Sequence, residues 1–199
     1  AGGISFVCQS GAVGSAILDL AAEKKHKFSK FISYGNATQI DESDLIDYLG
    51  RDENTKVICL YVEGVKNGDK FFETVKRVSK KKPIVALKGG LTNEGMKATL
   101  SHTGSLAGKK EVYFGIFKQT NIIKADSLED MFNISSLIEK GVFFKNNKIL
   151  VITNGGGYGI VSTDEISESK NLKMALLSDE TAEKIKRFAA KNMNIGNPL

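Results

Sequence analysis

The chain has 199 residues, 41% of them hydrophobic, enough for one large or two modest globular units with a buried core. Its 28 Lys and Arg are interspersed with 23 Asp and Glu for a net charge of +5, and no segment joins a basic stripe to exposed aromatics, so no nucleic-acid role is expected. No apolar run approaches the roughly 20 residues of a membrane span and no charged-then-apolar leader opens the sequence, so a soluble, cytoplasmic protein is expected.

Short β-branched runs alternate with amphipathic segments of helical length, the pattern of parallel strands joined by helical crossovers. Strands are predicted at Ile4 to Cys8, Phe31 to Tyr34, Val57 to Val62, Ile84 to Leu87 and Ile122 to Ile123. The helices that follow them are predicted at Gly11 to Lys25, Glu42 to Leu49, Asp69 to Lys80, Lys109 to Thr120 and Leu128 to Lys140. The basic run Lys80 to Lys82 precedes Pro83 and reads as a solvated last helical turn favoured by the helix dipole. Cys8 and Cys59 lie inside apolar strand runs and read as reduced core thiols, which fits a reducing compartment.

Five such units complete a flavodoxin-like α/β sandwich, a parallel sheet with helices on both faces, over residues 1–145. After Asn146-Asn147 the pattern restarts: a strand Ile149 to Thr153, a glycine loop, a helix Tyr158 to Ser169, a strand Lys173 to Leu177 and a helix Asp179 to Ala190. Two units are too few for an independent sheet of ordinary size, so residues 146–199 read as the start of a second flavodoxin-like domain completed elsewhere. The abrupt Ala1-Gly2-Gly3 opening and the Asn197-Pro198-Leu199 close read as cuts within a longer protein.

Ligands of open parallel sheets bind beyond the carboxyl ends of the strands. Gln9-Ser10-Gly11-Ala12-Val13-Gly14 leaves the first strand there, and Asn154-Gly155-Gly156-Gly157-Tyr158-Gly159 leaves the first strand of the second unit. Small residues at a helix start expose backbone N–H groups and about half a positive charge, which suits a phosphate, although tight helix packing accounts for such glycines equally simply. Neither loop is a Walker motif or a full dinucleotide fingerprint. Asp41 and Asp44, near Gly35-Asn36, suit turn and N-cap roles better than a metal site.

A long loop is predicted over Lys88 to Gly108, carrying His102 among small residues. A neutral imidazole is a competent nucleophile at pH 7, and a carboxylate on its other nitrogen fixes the tautomer. Glu63, after the third strand, is placed to reach the same sheet edge. Taken alone, His102 serves as readily as a hydrogen-bonding loop residue and Glu63 as a solvent-facing one.

Together, Gln9 to Gly14, Gly35-Asn36 with Asp41 to Asp44, Tyr61-Val-Glu-Gly64, Pro83 through Gly90, Ser101-His-Thr-Gly-Ser-Leu-Ala-Gly108 and Asn154 to Gly159 resemble the NDP-forming acyl-CoA synthetases, relatives of succinyl-CoA synthetase, and most closely the ADP-forming acetate-CoA ligase branch. The resemblance runs through essentially the whole chain in the family's order. It implies that acyl-CoA and phosphate give an acyl phosphate, whose phosphoryl group passes to His102 and then to ADP. It matches Glu63 to the carboxylate that orients the histidine. It also matches Ser10, Gly11 and Ala12 to one phosphate-cradling helix start, and Gly156, Gly157 and Tyr158 to a second. It implies CoA and ADP/ATP with Mg as substrates of the intact enzyme rather than tightly bound cofactors. Its further partners are a CoA-binding Rossmann domain and an ATP-grasp domain or subunit in an oligomer. A non-catalytic regulatory or assembly module, or a flavodoxin-like nucleotide- or flavin-binding domain, is the alternative, and retention of His102 speaks against the module.

Overall fold

The computed structural model describes residues 2–103, 108–190, 193 and 195–199, with the side chains of Ala98, His102 and Thr103 outside that description. Its first five strands are β1 (Ile4–Cys8), β2 (Phe28–Ser33), β3 (Val57–Val62), β4 (Ile84–Lys88) and β5 (Ile123–Lys124). They form one sheet in the order β2-β1-β3-β4-β5 with every neighbouring pair parallel. This is the flavodoxin-like order, whose direction of winding reverses between β1 and β3.

Side-chain alternation assigns the two faces. Val7, Ile58, Leu60, Val62, Ile84 and Ala86 pack with α2 (Glu42–Arg51), α3 (Gly68–Val78) and α5 (Lys110–Thr120) through Ile46, Leu49, Phe71, Val75 and Phe117. Ile4, Phe6, Cys8, Val57, Cys59 and Val85 pack with α1 (Gly11–Glu23) and α6 (Leu128–Glu139) through Ile17, Ala21, Met131 and Phe132. Phe6 centres an aromatic cluster on this second face, its ring 5.7 Å from Phe31 and 6.3 Å from Phe132. Because β1 and β3 are buried on both faces they read as continuous apolar runs, which is why their limits match the prediction.

Differences fall where tertiary pairing or capping competes with local pattern. β2 starts at Phe28 rather than Phe31, drawn into register by β1 with Ile4 opposite Phe28 and Cys8 opposite Ser33. α1 stops at Glu23 rather than Lys25, because Lys25 is left-handed at φ 56°. The long loop expected over Lys88 to Gly108 instead contains a helix, α4 (Asn93–Thr103), and His102 falls in its last turn. Thr92 starts it, its hydroxyl accepting from the Gly95 amide at 3.0 Å and its carbonyl from the Met96 amide at 2.7 Å. Thr99 and Ser101 return hydrogen bonds to the carbonyls of Gly95 and Lys97, at 3.0 and 2.7 Å. Such small polar residues satisfy backbone acceptors inside a helix and make its sequence look like a loop.

Residues 1–143 form one compact unit and residues 144–199 another. The second holds β6 (Lys148–Ile149), α7 (Gly156–Glu168), β7 (Lys173–Met174) and α8 (Asp179–Lys186), with β6 and β7 parallel. These strands are shorter than predicted. Beyond Ile149 the chain pairs with its own last residues: the Thr153 amide donates to the Leu199 carbonyl and the Leu199 amide to the Val151 carbonyl, both at 2.9 Å. The Asn197 side-chain oxygen takes the Val151 amide, also at 2.9 Å. Among the described residues, no helix is long and apolar enough to cross a membrane.

Candidate functional site

A cleft of about 630 Å³ opens at the carboxyl edge of the five-stranded sheet, where the connections leaving the parallel strands β1 and β3 wind to opposite sides. Its wall includes Ser10, Gly11 and Ala12 at the start of α1, Gly35 and Asn36 after β2, Tyr61 and Glu63 at the end of β3, and Gly90, Gly95 and Thr99 from the β4–α4 connection and α4. Four of the residues singled out in the sequence, Ser10, Gly11, Ala12 and Glu63, therefore share one cavity.

Ser10 is the N-cap of α1: its backbone is extended at φ -102°, and its hydroxyl accepts from the Val13 amide at 3.4 Å. The hydroxyl is engaged in starting the helix. Gly11 and Ala12 are exposed first-turn residues, and helix geometry leaves their amides without intrahelical acceptors. No acidic side chain occupies that first turn, so no residue of the helix itself offsets the partial positive charge it turns to the cleft.

Glu63 is held through both side chain and main chain. The Tyr61 hydroxyl donates to its Oε1 at 3.2 Å. The Gln9 side-chain oxygen accepts from the amides of Glu63, at 2.6 Å, and Gly64, at 3.0 Å, which ties the end of β3 to the residue after β1. The Lys88 ammonium donates to the Glu63 carbonyl at 2.7 Å and to the Gly89 carbonyl. Burial drives the Tyr61 hydroxyl well above the usual tyrosine range, with the Glu63 charge adding to the shift, so it stays a donor.

Lys88 is 3% exposed, and burial lowers its ammonium to about 8, against the opposing attraction of Glu63. Neither Lys88 nor Gln9 is singled out by the sequence reasoning. The available signal for Lys88 was a cation on the inward register of an apolar strand, in step with Ile84 and Ala86. Gln9 opens the Gln9 to Gly14 motif, but nothing in that motif marks its side chain as the acceptor that holds the end of β3.

The remaining candidates fall elsewhere or outside the described side chains. His102 lies on α4 three residues after Thr99, which lines the cleft, and its side chain is outside the described residues. Gly156, Gly157 and Tyr158 open α7 in the second unit, after Gly155 as an N-cap without a side-chain hydrogen bond. Tyr158 is 75% exposed.

Asp41 and Asp44 form a capping box on α2, and the Lys70 ammonium bridges them at 2.9 and 2.6 Å. Among the described residues, no group of three or more His, Cys, Asp or Glu is placed to hold a metal ion. The thiols of Cys8 and Cys59 are buried, which raises them to about 11 and about 12 and keeps both protonated at neutral pH.

Residues 1–138 match the succinyl-CoA ligase like flavodoxin domain. The whole chain is 43% identical, over 198 residues, to the ADP-forming acetate–CoA ligase of Methanocaldococcus jannaschii, covering 28% of that protein. It is 38% identical to the alpha subunit of ADP-forming acetate–CoA ligase II of Pyrococcus furiosus, covering all of this chain and 43% of that subunit. Among solved structures, it superposes with a TM-score of 0.89 and 34% identity on the dinucleotide forming acetyl-coenzyme A synthetase 1 of Candidatus Korarchaeum cryptofilum, in complex with phosphate and ADP. All of this chain and 43% of that one are covered. The chain thus spans less than half the length of these relatives.

Proposed function

Since the chain belongs to the succinyl-CoA ligase-like flavodoxin family of NDP-forming acyl-CoA synthetases, we propose that it is the phosphohistidine-carrying core of an ADP-forming acid–CoA ligase, with acetate as the acid. The observation that carries this reading is the cleft in which the free end of α1 meets Glu63 at the β1/β3 reversal. It combines amides suited to an anion with a carboxylate suited to an imidazole.

In this reading a phosphate oxygen attacks the thioester carbonyl carbon of the acyl-CoA, the C–S bond breaks, and CoA leaves as the thiol once protonated. A nitrogen of His102 then attacks phosphorus, the bond from phosphorus to the acyl oxygen breaks, and the carboxylate departs. Finally an ADP oxygen attacks the same phosphorus and the N–P bond breaks, which regenerates the imidazole and gives ATP. Phosphoryl transfer asks mainly for positioning and electrostatic stabilisation. The first turn of α1 provides the latter, worth about 1 kcal/mol and up to about 2 when partly buried.

The start of α7, at Gly156, Gly157 and Tyr158, is the proposed second phosphate cradle. A CoA-binding Rossmann domain and an ATP-grasp domain or subunit, the latter holding the nucleotide with Mg, are the proposed partners in an oligomer.

The test uses the full-length protein, incubated with labelled phosphate and acetyl-CoA or with labelled ATP. An acid-labile, base-stable phosphoprotein is expected from the wild type and none from His102→Asn. Equal labelling of the two removes His102 from the mechanism, and absence of label from the wild type removes the carrier function. Propionyl-CoA and 4-hydroxybutyryl-CoA, run alongside acetyl-CoA, decide the acyl group.

A further inference from the structure

We propose that Lys88 is a positioning residue of this cleft, a buried cation that fixes the main chain carrying Glu63. The proposal rests on the reading of Glu63 as the carboxylate that orients His102.

Lys88 ends β4 on the face that carries Ile84 and Ala86, among residues that pack with α3 and α5. A cation removed from water there is costly unless its donors find acceptors. They do: the ammonium donates to the Glu63 and Gly89 carbonyls and sits 4.6 Å from the centre of the Tyr113 ring. Charge-assisted hydrogen bonds of this kind are roughly twice as strong as neutral ones, and the ring face adds cation–π attraction.

Both carbonyls belong to segments leaving adjacent strands, Glu63 after β3 and Gly89 after β4, so one side chain draws the two loop stems together. Tyr113 closes the arrangement from α5, its hydroxyl accepting from the Val65 amide at 2.9 Å. The grip is on the Glu63 main chain, while its carboxylate takes the Tyr61 hydroxyl. Gly89 lies against the same tyrosine: a Cβ there would stand 2.7 Å from the Tyr61 oxygen. Lys88 thus sets where the Glu63 peptide lies, and Tyr61 sets the direction of its carboxylate. A role confined to filling the core would be served by methionine, which has similar length and no donors.

The experiment measures single-turnover phosphorylation of His102 in the full-length protein, from labelled phosphate and acetyl-CoA, in the wild type, Lys88→Met, Lys88→Gln, Glu63→Gln and the double variant Lys88→Met/Glu63→Gln. Lys88→Met is expected to slow phosphorylation by about 10–100-fold, the usual scale for losing a supporting hydrogen-bond partner of a site residue. KM for acetyl-CoA is expected to move by no more than about twofold, because substrate contacts are not removed. Lys88→Gln, which keeps a neutral amide as donor, is expected to recover part of the rate.

If Lys88 acts through Glu63, the double variant is no slower than Glu63→Gln alone. Lys88→Met labelling at the wild-type rate, or losses that multiply in the double variant, overturns the proposal. Should Lys88→Met fail to fold, Lys88→Gln and its double variant with Glu63→Gln run the same cycle. A wild type that takes no label overturns the proposed function and this inference with it. A wild type that labels beside an equally fast Lys88→Met overturns this inference alone.

Discussion

The Gln9 side-chain oxygen accepts from two successive amides, those of Glu63 and Gly64, at 2.6 and 3.0 Å. It thereby spans the point where the sheet's winding reverses. Gln9 is 8% exposed, so water cannot readily replace it as an acceptor. Gln9→Leu leaves both amides unpaired, each worth about 1–3 kcal/mol when buried. A loss of about 2–6 kcal/mol in urea unfolding is expected, together with slowed phosphorylation in the full-length protein. Loss of stability without loss of rate would limit Gln9 to a structural part.

Glu63→Gln keeps the volume and the main-chain bonds from Gln9 and Lys88 and removes only the charge. Stability is expected to change by less than about 1 kcal/mol, as for a substitution outside the packed core. On the proposed function, phosphorylation of His102 is expected to slow by about 10–100-fold, since a neutral amide orients an imidazole but stabilises its cationic form poorly. Unchanged single-turnover rates would remove Glu63 from the site.

Lys88 has opposite signs for stability and turnover as pH rises. Its native value of about 8 lies below the ordinary lysine value of 10.5 because burial disfavours the charged form. Below about pH 8 both native and unfolded lysine are charged, and the folded state carries the full burial penalty. Between about 8 and 10.5 the unfolded chain binds more protons, so this group makes folding more favourable as pH rises, by on the order of 3 kcal/mol across the interval. Turnover, by contrast, is expected to fall above about pH 8 as the ammonium loses the charge that holds the Glu63 carbonyl.

Among the described residues, the titratable groups facing Lys88 are Glu63, after β3, and Tyr113, on α5, whose hydroxyl burial also pushes up. Difference curves between wild type and Lys88→Met, from denaturant unfolding and from single-turnover rates, isolate both limbs. A wild type whose turnover is flat from pH 7 to 9.5 contradicts the charge requirement.

How far these features could be read from the sequence follows from how local their causes are. β1 and β3 were legible because burial on both faces leaves unbroken apolar runs. Ser10 was placed at a helix start, and the structure gives its hydroxyl to the Val13 amide as an N-cap. α4 was missed because Gly95, Thr99 and Ser101 have weak helix propensity, and the bonds that accommodate them appear only once the turn has formed. Lys88 and Gln9 were missed for a different reason. Their partners lie 25 and 54 residues away in sequence, so their roles exist only after the strands are ordered. The wall of the cleft was legible as composition, whereas the fixation of Glu63 is a property of tertiary register.

The loop after β2 carries a last prediction. Gly35 and Ala37 both have left-handed backbones, at φ 57° and 51°, and the Lys66 ammonium donates to the carbonyls of Asn36 at 2.7 Å and Ala37 at 3.1 Å. Left-handed backbone costs a residue with a Cβ about 1–2 kcal/mol. A Cβ at Gly35 would meet nothing within 4 Å, so Gly35→Ala is expected to destabilise by that conformational cost alone, offset by about 0.4–1 kcal/mol from the stiffer unfolded chain. Ala37→Gly reverses both contributions, but Ala37 is buried and losing its methyl costs about 0.8 kcal/mol, so a net change within about 1 kcal/mol of zero is expected. Because Gly35 and Asn36 line the cleft, the strain at Ala37 has a functional counterpart: relieving it is expected to loosen the loop. A lower unfolding midpoint for Gly35→Ala than for Ala37→Gly, and a slower amide exchange at Asn36 in wild type than in Ala37→Gly, are the measurements that bear on it. An Ala37→Gly variant destabilised by more than about 1 kcal/mol would show that the buried methyl, rather than backbone strain, governs this position.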